Sequence, residues 1–243
     1  MTEPALRGGI IAAGEGSRLR AAGFTAPKPM VRVAGVPLIE SVVRNFVEAG
    51  ITSLVVIVNE DEHECARWLT ARFPSLDLSC IVKTTPSSLR SFVEVVSAPG
   101  PGRMLVSTVD AWCPAGDFVR FVESARKRPV DTTVLALTPF VADEHPLWAT
   151  TDGAGRITAL GVDAGPLVTA GMYLVSERVR ALAPAVRLGR LREFLTWLVA
   201  QGEPLYGEVI PRVIDVDRAE DVALAEALAL TITREPSVAK KGL

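Results

Sequence analysis

An apolar run, Gly8-Gly9-Ile10-Ile11-Ala12-Ala13, passes without a polar break into Gly14-Glu15-Gly16-Ser17. No other feature restricts the fold as tightly. A strand-length run with no polar face is buried on both sides, as in a parallel sheet covered by helices. The small residues that follow let backbone N–H groups approach an anion at the strand's carboxyl end. Arg18 and then Lys28, set between Pro27 and Pro29, add cations at the same place. Strand, small-residue loop and paired cations are what nucleotide phosphates require.

The remainder alternates in the same way. Leu54 to Val58, Leu78 to Val82, Met104 to Val109 and Thr132 to Leu137 read as strands. Between them, Leu38 to Ala49, Glu64 to Phe73, Ser88 to Val96 and Phe118 to Arg126 carry helical periodicity. Such β-α repetition predicts an α/β fold: a Rossmann-like, mostly parallel mixed sheet with helices on both faces. After Pro139 the pattern changes to short strands at Leu147 to Thr151, Arg156 to Val162 and Leu167 to Val175. A helix at Leu191 to Ala200, a strand at Leu205 to Ile210 and a helix at Asp217 to Ala229 follow. The expectation is one domain over residues 1–234, with a nucleotide-binding half to about 138, a β-rich acceptor-binding half after it, and a frayed tail from Glu235. Asp217-x-x-Glu220 has the form of a capping box, with Asp217 as the N-cap.

Composition narrows the function classes. The 243 residues carry a formal net charge of -2, without the basic excess of a nucleic-acid binder. Three scattered cysteines form no CxxC pair, which argues against a zinc site or disulfide framework and suits a reducing, cytoplasmic setting. No apolar run reaches spanning length, so no membrane partner is expected.

Gly14-Glu15-Gly16-Ser17-Arg18-Leu19 lacks the third glycine of a dinucleotide fingerprint, because position 19 is Leu. The wider string fits another pattern. Ile10 to Leu19, then Pro27-Lys28-Pro29-Met30-Val31, then Gly35-Val36-Pro37-Leu38-Ile39 resembles the N-terminus of the nucleotidyltransferase superfamily with a GT-A-like fold. That superfamily includes the sugar-1-phosphate nucleotidylyltransferases. Val106 to Asp110 resembles its strand ending in a metal-binding aspartate, Thr169-Ala170-Gly171-Met172-Tyr173 its sugar-contacting segment, and Val213 to Val222 its closing segment.

The resemblance implies Mg²⁺-dependent transfer from a nucleoside triphosphate to a small phosphorylated acceptor, with pyrophosphate leaving. Arg18 and Lys28 would be the catalytic cations on the triphosphate. Ala12, Ala13, Gly14, Gly16 and Ser17 would meet the nucleotide, and Ser88 would reach its base. Asp110 and Asp215, with Asp217, would hold Mg²⁺; an N-cap role accounts for Asp217 equally well. Asp163, Thr169 and Gly171 would touch the acceptor.

Two departures leave the acceptor open. The base-reading loop has no glycine over Thr85 to Phe92, and Val162 to Pro166 lacks the lysine that commonly precedes the sugar-contacting segment. A sugar 1-phosphate, a phosphocholine-like alcohol phosphate, and a catalytically silent nucleotide-binding module all stay compatible with the residues.

Overall fold

The computed structural model describes residues 5–141, 146–161 and 165–234, with side chains to 231. The chain opens with β1 (Arg7–Ala12), α1 (Ser17–Ala21), a 3₁₀ turn at Lys28–Met30, the short hairpin β2 (Arg32–Val33) and β3 (Val36–Pro37), and α2 (Leu38–Glu48). It continues through β4 (Ser53–Val58), α3 (His63–Arg72), β5 (Asp77–Val82), α4 (Ser88–Val96), β6 (Met104–Thr108), β7 (Ala111–Trp112) and α5 (Ala115–Arg126). The second half holds β8 (Thr133–Thr138), β9 (Trp148–Thr151), β10 (Ile157–Gly161), β11 (Leu167–Val175) and α6 (Glu177–Leu182). It closes with α7 (Leu191–Ala200), β12 (Leu205–Val209), β13 (Ile214–Asp215) and α8 (Ala219–Arg234).

One mixed sheet runs through both halves. β5, β4, β1 and β6 are mutually parallel; β11 joins β6 antiparallel, β8 joins β11 antiparallel, and β12 joins β8 in parallel. The hairpin of β9 and β10 hangs on the start of β11. The α/β expectation therefore holds, and the β-rich half is a continuation of the same sheet.

The alternation along β1 shows why its sequence has no polar face. Ile10 and Ala12 enter a core built with α2, α3, α5 and α8, while Ile11 and Ala13 enter a second core built with α4, α6 and α7. α2 alone buries Leu38, Ile39, Val42, Val43 and Phe46. Full burial contributes roughly 1.5–3 kcal/mol for each such side chain. That offsets the missing side-chain N-cap at Pro37. Gly8 and Gly9 serve packing: a side chain at Gly8 would meet Phe46 and Leu54, and one at Gly9 would meet Val95.

Two short helices, α1 and α6, and the two-residue ribbon of β7 and β13 escape the sequence reading, because five or six residues cannot show a period. The buried Arg180 on α6 closes the end of α4, donating to the carbonyls of Val96, Ala98, Gly100 and Gly102 at 2.7–3.1 Å. Asp163 and the tail from Glu235 lie outside the described residues. Among the described residues, no helix is long and apolar enough to cross a membrane.

Candidate active site

The site lies at the carboxyl ends of β1 and β6, where ligands of open α/β sheets bind. β1 ends at Ala12, and Gly14 beyond it faces open space. Gly16 then turns the chain with φ +59°, a conformation that L side chains rarely adopt, and α1 starts at Ser17. A Cβ at Gly16 would lie 2.7 Å from Lys28 Cβ, so the glycine also makes room for the lysine. Ser17 and Arg18 are exposed, as a loop that receives a ligand from solvent requires.

Lys28 is held from the other side. Pro27 and Pro29 fix the backbone about it, and Met30 N–H donates to the Pro27 carbonyl at 2.8 Å. Its side chain is only 7% exposed, and its ammonium donates to Asp110 Oδ2 at 2.6 Å and to Asp217 Oδ1. Burial alone would lower the lysine's pKa; the carboxylates of Asp110 and Asp217 outweigh it and hold the ammonium charged. Burial would likewise raise the Asp110 carboxyl, but Lys28, with help from the Thr108 hydroxyl, keeps it below the usual carboxylate range.

The β7–β13 ribbon brings the last aspartates in. Asp215 pairs with Ala111, and Val216 N–H donates to the Asp110 carbonyl at 3.0 Å. Carboxylate oxygens of Asp110, Asp215 and Asp217 all lie within 4.8 Å of one another. Arg18 Nη1 donates to Asp217 Oδ2 at 3.1 Å. Lys28 and Arg18 thus engage two of the three clustered carboxylates, Asp110 and Asp217. Like carboxylates this close repel unless a cation sits among them, and the donor set suits a hard divalent ion.

This geometry corrects the capping expectation for Asp217. The carboxylate that accepts from the backbone ahead of α8 is Asp221, which takes the N–H groups of Asp217 and Arg218 at 3.0 and 2.8 Å. The Asp217 side chain is committed to Lys28 and Arg18 instead.

Beside Asp110 and Asp215 opens a cavity of about 210 Å³. Thr169 and Gly171 line it. Gly171 sits at an irregularity in the pairing of β11 with β8, with φ +69°, where a Cβ would lie 2.6 Å from Thr108 Oγ1. Ser88 lines the same cavity, and its hydroxyl accepts the Leu191 N–H at 3.1 Å, tying α4 to α7. That sets Ser88 in the wall of this cavity, which no residue of the loop after β1 lines. The side chains of Ala12 and Ala13 are buried in the two cores, so only their backbone could meet a nucleotide. Arg192, on the first turn of α7, also lines the cavity. No motif reading reached it, because nothing local marks that arginine off from Arg187 or Arg190.

Comparison with known proteins decides the family. Residues 8–181 match the MobA-like NTP transferase domain. The chain belongs to the MobA-like NTP transferase family. It is accordingly a nucleotidyltransferase, and the loop after β1, Lys28 and Asp110 all fall within the matched stretch. It is 30% identical over 244 residues, 91% of this chain, to the "Bifunctional IPC transferase and DIPP synthase" of Rubrobacter xylanophilus. It is 33% identical over 91 residues, 36% of this chain, to a 2-aminoethylphosphonate cytidylyltransferase of Lancefieldella rimae. The matches cover 51% and 37% of those curated relatives, so the chain spans about half the length of the first. The solved inositol-1-phosphate CTP transferase of T. maritima superposes with a TM-score of 0.80 at 18% identity, covering 96% of this chain and 99% of that one. At that identity the likeness establishes the shared fold.

Proposed function

We propose that this nucleotidyltransferase is Mg²⁺-dependent and moves a nucleotidyl group, from CTP in the first instance, onto the phosphate of a small polyhydroxy acceptor such as inositol 1-phosphate or a sugar 1-phosphate. The observation that carries the reading is the convergence of Lys28, Arg18 and three aspartates, two of which, Asp110 and Asp215, also line a cavity with several hydroxyls. Ser88, Thr108, Thr138 and Thr169 all face that cavity. Its size, about 210 Å³, suits a small acceptor. The cytidylyl names of the Lancefieldella and T. maritima proteins favour CTP.

The chemistry is a displacement at the α-phosphorus. An oxygen of the acceptor phosphate forms the new P–O bond, the α–β bond breaks, and pyrophosphate carries off the electron pair. Both reactants are anions, so placement and charge neutralisation dominate the barrier. Arg18, exposed at the loop, receives the triphosphate. Lys28, buried and permanently charged, faces the α-phosphate, where negative charge builds. Asp110, Asp215 and Asp217 would hold Mg²⁺, which when bound shields the phosphates and stabilises charge in the transition state. The triphosphate also gives Lys28 and Arg18 anionic partners to replace the aspartates they now engage.

Pyrophosphate release tests this, with each of the four common triphosphates, Mg²⁺, and inositol 1-phosphate, glucose 1-phosphate or 2-aminoethylphosphonate. Release with CTP and a polyol phosphate is expected. Release with the phosphonate alone would move the acceptor to the amino-alkyl class. No release from any pair would defeat the reading.

A further inference from the structure

The cavity beside Asp110 and Asp215 poses an electrostatic problem. A phosphomonoester that enters it is an anion approaching two carboxylates. The lysine that the sugar-1-phosphate pattern places before the Thr169–Tyr173 segment is missing from this chain. Lys28 and Arg18 do not line the cavity, nor does any residue of the loop after β1. The walls come from β11, α7 and the ends of β6 and β8. β11 and β8 lie on the far side of β6 from β1. Among the described residues lining it, Arg192 is the only cation.

Arg192 is held firmly by its neighbours along α7. Leu191 N–H is fixed by the Ser88 hydroxyl. Glu193 caps the helix, its carboxylate accepting from Gly189 and Arg190 N–H at 3.0 and 3.1 Å. Arg192 shares a helix face with Leu195, three residues on, and Leu195 also lines the cavity. The buried Tyr173 phenol feels the same charges. Burial first, then Asp110 and Asp215, hold its proton on, and Arg192 pulls the other way. Arg192, Asp110, Asp215 and Tyr173 all line this one cavity.

We propose that Arg192 is the acceptor-binding cation of this enzyme: its guanidinium takes the acceptor's phosphate or phosphonate group from α7 and replaces the missing strand lysine. A planar fork of donors suits two oxygens of a tetrahedral anion, leaving a third for attack on the α-phosphorus. This rests on the proposed transfer reaction, because it assigns the cavity to the acceptor. It also explains how a chain without the usual lysine keeps a phosphorylated acceptor in an acid-lined cavity.

The test is equilibrium binding, measured by calorimetry without turnover, on wild type, Arg192→Gln and Arg192→Lys. The probes are inositol 1-phosphate, glucose 1-phosphate, 2-aminoethylphosphonate and unphosphorylated inositol, each with Mg²⁺. Arg192→Gln is expected to weaken the phosphorylated probes about 10- to 100-fold, and Arg192→Lys less, since a point charge keeps attraction but loses the fork. CTP binding and the unfolding temperature stay as in wild type. Wild-type affinity in Arg192→Gln overturns the proposal. So does an equal loss for CTP, or a wild type that binds none of the three anions. An enzyme that binds the anions through Arg192 yet releases no pyrophosphate would sink the reaction and leave the anion site standing. With turnover present, Arg192→Gln raises the acceptor KM and leaves the CTP KM unchanged.

Discussion

Replacing Lys28 by Met keeps most of the stem and deletes the charge. Lys28 is 7% exposed, and its partners Asp110 and Asp217 are 23% and 33% exposed. An exposed ion pair contributes about 0–1 kcal/mol, and breaking a fully buried one costs about 3–5. The half-open carboxylates put this site between them, at about 2–3 kcal/mol. For a chain of this size that is a fall in unfolding temperature of about 4–12 °C. The loss belongs to aspartates left facing one another, so a divalent cation placed among them replaces what the ammonium supplied. Thermal unfolding at pH 7 therefore separates the cases. With EDTA, Lys28→Met melts below wild type; with millimolar Mg²⁺ or Mn²⁺ the gap narrows, because the cation stabilises both proteins but stabilises the variant more, where no ammonium competes for Asp110 and Asp217. Turnover is expected not to recover with stability and to stay about 10²–10³-fold down, since in the proposed reaction the lost charge faces the α-phosphate. An equal gap with and without metal would refute the shared site for Lys28 and the cation. Unchanged melting in EDTA would refute the ion pairs themselves.

Gly16→Ala is expected to act as a remote lesion of Lys28, because its Cβ would press on Lys28 Cβ and its backbone would stay at φ +59°. Stability should fall by about 1–2 kcal/mol and turnover by more than the triphosphate KM rises, which steady-state kinetics would show. Glu62 supplies a pH prediction. Burial, together with Asp61 and against Arg20, pushes its carboxyl up to about 7, and one of its oxygens is buried without a hydrogen-bond partner. The folded state then holds a proton that the unfolded state has already lost between roughly pH 4.5 and 7, so this group makes folding less favourable as pH rises through that window. Glu62→Gln should be more stable than wild type at pH 8, on the order of 1–2 kcal/mol, and equal to it at pH 4, by denaturant titration. A gap of the same size at both pH values would show that charge is not the cause.

What could be read from the sequence is what short-range physics writes there. β1 has to be apolar on both faces because both cores use it. Its loop has to be small because Lys28 packs against Gly16. Asp110 has to follow β6 because ligand groups gather at strand ends. Each of these constraints acts within a few residues, so each leaves a local pattern. The roles of Asp217 and Arg192 are set by partners far off in the chain. Asp217 looked like a helix cap because Asp-x-x-Glu is a local form. Its carboxylate instead meets Lys28 across 189 positions, and Asp221 takes the helix end. Arg192 reaches the cavity because α7 packs on α4, where the Ser88 hydroxyl accepts the N–H of Leu191, 103 positions on.

The same contrast explains where this chain departs from the sugar-1-phosphate pattern. On the proposed reaction the nucleotide side must neutralise a triphosphate whatever the acceptor is, and Arg18, Lys28, Asp110 and Asp217 are joined there by ion pairs, with Asp215 beside them. The acceptor side has only to supply one cation within reach of the attacking oxygen. A strand lysine or a helix arginine can do that, provided the sheet and α7 are locked together. The Ser88–Leu191 hydrogen bond and the Glu193 cap provide that lock. Substituting Ser88 would therefore disturb the acceptor through Arg192, while the loop after β1 kept its geometry.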